Sequence, residues 1–511
     1  MFSRSRQARV QSSKTLTYPS PSGGWVQSGN IVSANPSQAE QLDNFIPTAQ
    51  GARLRGGIVE VDDAGASVVR MFTYASGTQE EIFAATDTAI YDALDVAAGA
   101  ASGSRTSGDW STTQISTTGG QFLVGVNGAD AGFTYNGSSF SAISLTGVAS
   151  TALSQTWLFK ERLFFVEKNT SSVWYLPVES IGGTVSEIDL GSVFAKGGNV
   201  LLGATWSLDS GSGLDDVCLF ISDRGEIAVY EGTDPSSAST WSLVGVYDIG
   251  RPLNKHASFK AGGDLAILTE DGIIPVSQAI QKDRAALQSA AISYPIEDAW
   301  KEIVQQRSTA YPITATLWQS GTLLLVGTPG TYKGRNVAFA ANARTGAWCR
   351  ITGWDVRCSV VYSDELYFAD AAGKIYKADS GGTDNGAAYT AVWCPKFQTS
   401  NQLGDTNAAS VTYRAGAKVD ITLAAQADYT VSDVQEPQTI DFETGNVWGT
   451  GVWGAFVWGS TTSLTTHTDW QAAYATGYSF APSLAITSNQ EVQFPFEVLI
   501  ARLRLEHGNA L

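Results

Sequence analysis

Three tryptophans recur every five residues in the stretch NVWGTGVWGAFVWGS (446–460), at Trp448, Trp453 and Trp458, each followed by glycine. Rings in such a row can stack on sugar, fill a core or meet another chain. On one straight strand an odd spacing sends alternate side chains to opposite faces. On a helix, five residues advance the side chain by roughly 500°, about 140° past a full turn. Neither element lines the rings up. The glycines between them suit tight turns, so the pattern predicts a ribbon of loops or short strands with each ring turned inward. The rings then pack in the C-terminal domain or against a neighbouring subunit. A sugar ladder needs exposed, coplanar rings.

Other candidates for chemistry are sparse. Asp420, Asp428, Asp433, Glu436, Asp441 and Glu443 lie in a stretch with no basic residue, but their spacing matches no calcium loop and reads as a solvated acidic face. Cys218, Cys349, Cys358 and Cys394 make no C-x-x-C pair, and His256, His467 and His507 are far apart. That predicts free thiols and no metal site. No G-x-S-x-G elbow, P-loop or H-E-x-x-H occurs. Propeller enzymes that cleave sialic acid repeat S-x-D-x-G-x-T-W turns; the nearest approach, SDRGEIAVY, lacks the Thr-Trp ending. Paired carboxylates for glycoside hydrolysis are invisible to spacing alone. The chain reads as a non-enzyme without a cofactor.

The elements that would position these residues are mostly strands. The chain has 511 residues, 52 of them glycine, and only 16% are charged. That is the profile of a β-rich protein with many tight turns, too long for one ordinary core. The net charge of −17 argues against gripping nucleic acid through its phosphates and suits either solubility or a surface past which DNA slides. The basic start is followed by no apolar stretch, and no run of about 18 apolar residues exists, which predicts a chain made in a cytoplasm without a membrane-spanning helix.

Short apolar strands joined by polar turns recur at 80–94, 121–143, 156–178, 217–232, 265–277 and 365–379. Their irregular spacing of roughly 40–60 residues predicts a mainly β fold, a β-propeller of about six or seven blades over 49–395. A pair of β-sandwiches is the alternative. One Ala-rich, polar segment near 277–308 predicts two inserted helices, with Pro295 in a first turn, Glu297 and Asp298 at the positive end of the helix dipole, and Trp300, Ile303 and Val304 on one face. Such an insert reads as a contact element, with Trp300 as an interface candidate. Residues 1–48 read as an N-terminal arm, either a flexible tail or an extended segment that orders against a neighbouring subunit, with Arg4, Arg6, Arg9 and Lys14 as candidate contacts to DNA or another ring. Residues 396–511 read as a second β-rich domain. In its last strand Leu499, Ala501, Leu503 and Leu505 share one face.

Several stretches stand in the order of a known family. GGWVQSGNIVSANPSQAEQLDNFIPTAQGARLRGG (23–57) has a Gly-Trp, then QLDNFIPT, then an Arg-Gly pair. NVAFAANARTGAWCRITGWDVRCSVVYSDELYFADAAGKIYKADSGGTDNG (336–386) carries Thr-Gly-Ala-Trp, Leu-Tyr-Phe, Gly-x-Ile-Tyr and Asp-x-Gly-x-x-Asp. From about residue 23 to the end, the chain resembles the tail hub or nozzle proteins of short-tailed bacteriophages, especially those infecting alphaproteobacteria. Some relatives place Asp after the tryptophans of the row, where this chain has Gly throughout.

The resemblance implies a virion structural protein, assembled in the host cytoplasm. It implies a homo-hexameric ring at the end of the tail, contacting the tail adaptor ring and the tail fibre proteins, with genomic DNA passing through the channel without specific binding. Two alternatives stand beside it: a carbohydrate-binding, receptor-recognising propeller and a polysaccharide hydrolase.

Overall fold

The structure, a computed structural model, describes residues 13–28, 35–77, 79–207, 216–308, 312–432, 434 and 464–507. It divides into two compact units. One comprises Glu60–Phe339 and Gly353–Ala378, the propeller unit. The other, the sheet unit, takes Met1–Val59, Ala340–Thr352 and Asp379–Leu511.

The propeller unit is a six-bladed ring of small antiparallel sheets. The first blade runs Val68–Ser76, Gln79–Thr86, Ile90–Asp92 and Ala100–Ser102. The second is Ser111–Thr117, Gly120–Val126, Phe133–Tyr135 and Phe140–Ala142. The third holds Leu153–Phe159, Arg162–Glu167, Ser172–Tyr175 and Ser186–Asp189, and the fourth Val200–Trp206, Val217–Ser222, Glu226–Gly232 and Trp241–Asp248. The fifth has three strands, Ser258–Ala261, Asp264–Thr269 and Gly272–Pro275. The last joins Cys358–Tyr362, Glu365–Ala369 and Lys374–Ala378 to Ile58–Asp63. The hairpin of Thr314–Trp318 and Leu323–Gly327 stands between the fifth blade and the last.

The first three blades are each covered on both faces by their neighbours, which explains the strands' composition. Leu163, Phe164, Phe165 and Val166 are consecutive and all buried, the run expected of a strand sandwiched on both sides. Their side chains alternate between two interfaces. Phe164 and Val166 pack with Phe220 and Ala228 of the fourth blade, while Leu163 and Phe165 pack with Ile115 and Val124 of the second. The first and second blades meet through Phe72, Phe83, Phe133 and Tyr135, with Phe83 and Tyr135 edge-on at 5.2 Å, a favoured aromatic geometry. Val68, Met71 and Ile82 pack with Cys358, Tyr367 and Ile375 of the last blade. The ring is therefore closed by apolar burial as well as by the shared sheet.

Turn chemistry sets the hairpins. Lys160 and Glu161 have φ of 45° and 60°, as do Ser363 and Asp364 at 46° and 62°. Two successive positive φ values between paired strands match the right-handed twist of a hairpin. The first of these turns contains none of the usual turn residues, so the flanking strands must hold it.

Between the fifth blade and that hairpin the chain forms helices at Val276–Ala279, Arg284–Leu287 and Glu297–Gln306, the last entered through a short turn containing Pro295. The helical segment holds three short α-helices rather than the two predicted. Ala299, Trp300, Ile303 and Val304 form its buried face.

The sheet unit pairs strands from distant parts of the chain. Gln38–Asp43 is antiparallel to Tyr389–Pro395, which pairs with Thr476–Ser488. Gln398–Ala415 is hydrogen-bonded to Phe496–His507 and Thr465–Ala472. Ser13–Tyr18 pairs with the last strand, setting Leu16 opposite Leu503. Leu16 and Tyr18 alternate inward, and the Tyr18 hydroxyl donates to the Phe480 carbonyl at 2.7 Å. From residue 13 onward the predicted arm is thus a strand of this sheet. The boundaries near 48 and 395 give way to a unit assembled from three stretches, because its strands pair across them.

The last strand departs from the predicted alternation at one point. Thr412 faces Ile500 but Tyr413 faces Val498, so Leu499 is an extra residue in a bulge. A bulge reverses the parity of the strand. Phe496 and Val498 are buried on one side of it, Ala501, Leu503 and Leu505 on the other, and Leu499 is half-buried.

Candidate functional site

The densest polar constellation lies inside the sheet unit. Arg53 and Arg55 are two residues apart on a strand and its exit, and their partners come from the turn that follows the propeller strands. Arg55 is fully buried. Its Nη1 and Nη2 donate to Oδ1 and Oδ2 of Asp384 at 2.8 and 2.6 Å, and its Nε donates to Asn44 Oδ1 at 2.9 Å. The guanidinium also lies 3.7 Å above the centre of the Tyr389 ring, whose hydroxyl donates to the Arg55 carbonyl. Arg53 donates to both oxygens of Asp379 at 3.2 and 2.7 Å, and the Gly56 amide donates to Asp379 Oδ1.

The same pattern repeats nearby. Arg350 donates from Nε and Nη2 to the two oxygens of Asp43 at 2.5 and 2.9 Å, and its guanidinium covers the buried Trp25 ring at 5.2 Å. Asn44, at a φ of 59° that asparagine tolerates better than most residues, joins the two pairs. Its Oδ1 accepts from Arg55 Nε and the Thr352 amide, and its Nδ2 donates to Thr352 Oγ1 and the Thr390 carbonyl.

Close backbone approach is part of the site. A Cβ on Gly57 would lie 1.8 Å from the Thr383 carbonyl oxygen, and one on Gly24 would lie 2.6 Å from Trp348 backbone atoms. Only glycine fits at either position. Charges removed from water at this depth are stable only when paired and fully hydrogen-bonded, and the forked geometry meets that demand. With the carboxylates held in two-point pairs, the constellation latches distant chain segments together.

A second cluster belongs to the propeller unit. His256 Nε2 lies 2.8 Å from Asp109 Oδ1, and Lys255 Nζ lies 3.1 Å from Asp109 Oδ2. Lys255 also donates to the carbonyls of Asp109 and Asn127 at 2.6 and 3.4 Å. Burial, joined by the charge of Arg70, pushes His256 down to about 4 against the pull of Asp109. Burial works to raise the Asp109 pKa, but His256, Lys255 and Arg70 together hold it below the usual carboxylate range. Although Asp109 is packed among these groups, 45% of its side chain remains open, so solvent screens part of that effect. Among the described residues no hydroxyl or thiol is hydrogen-bonded to the other His256 nitrogen.

The residues singled out in the sequence fall in different places. Trp300 is buried, with its indole nitrogen donating to the Thr269 carbonyl at 3.0 Å. Its ring fastens the helical segment to the fifth blade instead of facing outward. Trp448, Trp453, Trp458, Arg4, Arg6 and Arg9 lie outside the described residues. All four cysteines are free and buried, and no cluster of metal-ligating side chains occurs among the described residues. No described helix is long and apolar enough to cross a membrane.

No protein-family model and no curated protein sequence matches the chain. Among solved structures it is similar to the β-propeller domain of Myceliophteria thermophila Cps50 (Swd1), at 8% identity and a TM-score of 0.39, over 64% of this chain and 99% of that one. It is also similar to the computationally designed Ika8 protein, at 9% identity and a TM-score of 0.35, over 63% and 99%. BamB from Moraxella catarrhalis follows at 14% identity and a TM-score of 0.29, over 65% and 92%. Likeness at these scores says nothing of what the chain does. The propeller is defined by its own strand pairing and closure.

Proposed function

We propose that the protein is a structural component of a phage tail, a ring-forming nozzle or hub at the end of the DNA-ejection channel that also offers a platform to neighbouring tail proteins or fibres. One observation carries this reading. Gly-Trp, QLDNFIPT, the Arg-Gly pair, Thr-Gly-Ala-Trp and Asp-x-Gly-x-x-Asp, five of the motifs on which the resemblance rests, meet in a single network, while Leu-Tyr-Phe and Gly-x-Ile-Tyr belong to strands of the last blade. The Gly24–Trp25 pair lies against Trp348 and Arg350. Asp43 and Asn44 of QLDNFIPT bind Arg350 and Arg55. The outer carboxylates of Asp-x-Gly-x-x-Asp bind Arg53 and Arg55. Residues that form one scaffold are the ones a shared architecture would have in common, which supports carrying the family's architecture over to this chain.

The acidic charge fits a channel through which DNA passes unbound. In this reading the chain forms a homo-hexamer in the virion, between the adaptor ring and the fibres. The test is complementation. Phage lacking this chain should package DNA but yield non-infectious particles, and adding purified protein should restore infectivity. Normal infectivity without the chain would refute the proposal.

A second reading has its own observation. Trp470, Tyr474 and Tyr478 are exposed on the strands Thr465–Ala472 and Thr476–Ser488 and the turn between them, and exposed rings can stack on sugars. Glycan binding by the isolated protein, lost in Trp470→Ala and Tyr478→Ala, would favour receptor recognition.

A further inference from the structure

We propose that the channel of the propeller unit is a binding site for a small hydroxylated oxyanion, with Arg70 as its main charged contact and Lys260 as the second. The cavity measures about 570 Å³ and is lined by the inner strands of several blades, a volume within the range of small-molecule sites. Its charge runs against that of the chain. The protein carries 49 acidic and 32 basic residues, yet Arg70, Lys260 and His256 line the cavity and no carboxylate does.

The nearest carboxylate is already committed. Asp109 is held by Lys255 and His256, and Lys255 spends its remaining donors on two carbonyls. The Arg70 guanidinium has no hydrogen bond or ion pair among the described residues. With His256 neutral, Arg70, Lys255 and Lys260 against Asp109 leave the cluster at a net charge of about +2. An arginine with free donors presents a planar fork suited to carboxylate or phosphate oxygens. Thr73 and Thr112 add hydroxyls on the same walls, which suits a ligand carrying hydroxyl groups beside its charged end. This inference stands whether or not the chain belongs to a virion.

The experiment is calorimetric titration of the full chain, at fixed ionic strength, with inorganic phosphate, glucose 6-phosphate, glucuronate and neutral glucose. At least one charged probe should bind saturably, and glucose should not. The order of glucose 6-phosphate and glucuronate tells whether phosphate or carboxylate is the preferred charged end. Arg70→Gln should weaken the binding by about ten-fold or more, and Lys260→Gln by a smaller factor. Lys282→Gln, at an exposed position on the helical segment, should leave it unchanged. Should Arg70→Gln fail to fold, the exposed Lys260→Gln and the wild-type titration decide. Absence of saturable binding by every charged probe, glucose binding as tightly as they do, or wild-type affinity in the folded lysine and arginine variants would each overturn the proposal.

Discussion

Arg55 and Asp384 are separated by 329 residues in the chain and joined by two parallel hydrogen bonds of 2.8 and 2.6 Å. The guanidinium is wholly removed from solvent, so this pair fixes where two distant segments of the sheet unit meet. Removing one member leaves a buried charge unpaired. Arg55→Ala should therefore destabilise the sheet unit by about 3–5 kcal/mol, read as a lowered midpoint in urea unfolding. Arg55→Lys should also be destabilising, because an ammonium cannot reproduce the fork. The double variant Arg55→Met with Asp384→Leu should recover part of the loss.

The glycine at position 57 makes a sharper steric prediction. With 1.8 Å between an added Cβ and the Thr383 oxygen, Gly57→Ala must push apart two backbones that hydrogen-bond at 2.9 and 3.0 Å. The variant should unfold at clearly lower denaturant than Gly65→Ala, where nothing lies near the added carbon. At Gly65 the cost is confined to a φ of 64°.

Much of the propeller was legible because its hairpins obey local rules. Apolar runs such as 162–167, the polar turns between strands and the placement of Pro295 all speak through near neighbours. Leu499 was misplaced for a local reason of another kind: a bulge leaves no mark in the alternation of residue types. The latch was legible only in part. Arginines at positions 53 and 55 and aspartates at 379 and 384 stand out beside their glycines, but no periodicity names their partners. Their pairing spans more than 300 residues and follows from the topology of the sheet. The same holds for the channel, since Arg70, His256 and Lys260 come together only when the blades close.

Thiol reactivity tests the burial of the four cysteines. Burial pushes the Cys358 thiol up to about 11, and Cys218, Cys349 and Cys394 higher still. The thiolate is the reactive form, so native protein at pH 8 should take up iodoacetamide slowly at every site. Denatured protein without reductant should take up four labels by intact mass. Rapid native labelling of Cys394 would contradict the packing of the sheet unit.

Acid stability follows from His256. Its pKa is lowered from 6.5 in the unfolded chain to about 4 in the fold. Between these values the unfolded state binds more protons, so stability rises with pH across that window and is fully present above about 6.5. Asp109, held below its usual range, loses its contribution only as the pH falls below its unfolded value. Stability of the propeller unit should therefore decline from pH 6.5 toward 4, and His256→Gln should flatten that slope. An unchanged slope in the variant would show that other groups dominate.

The proposed role in a phage tail is tested most directly by locating the chain in a particle. Cryo-electron microscopy of purified tails, with the protein identified by mass spectrometry of the same preparation, should place it in a six-fold ring at the distal end of the DNA channel, below the adaptor. The density should accommodate a propeller and a sheet unit in each copy. Absence of the chain from infectious particles, or its presence in another symmetry or away from the channel, would contradict the account.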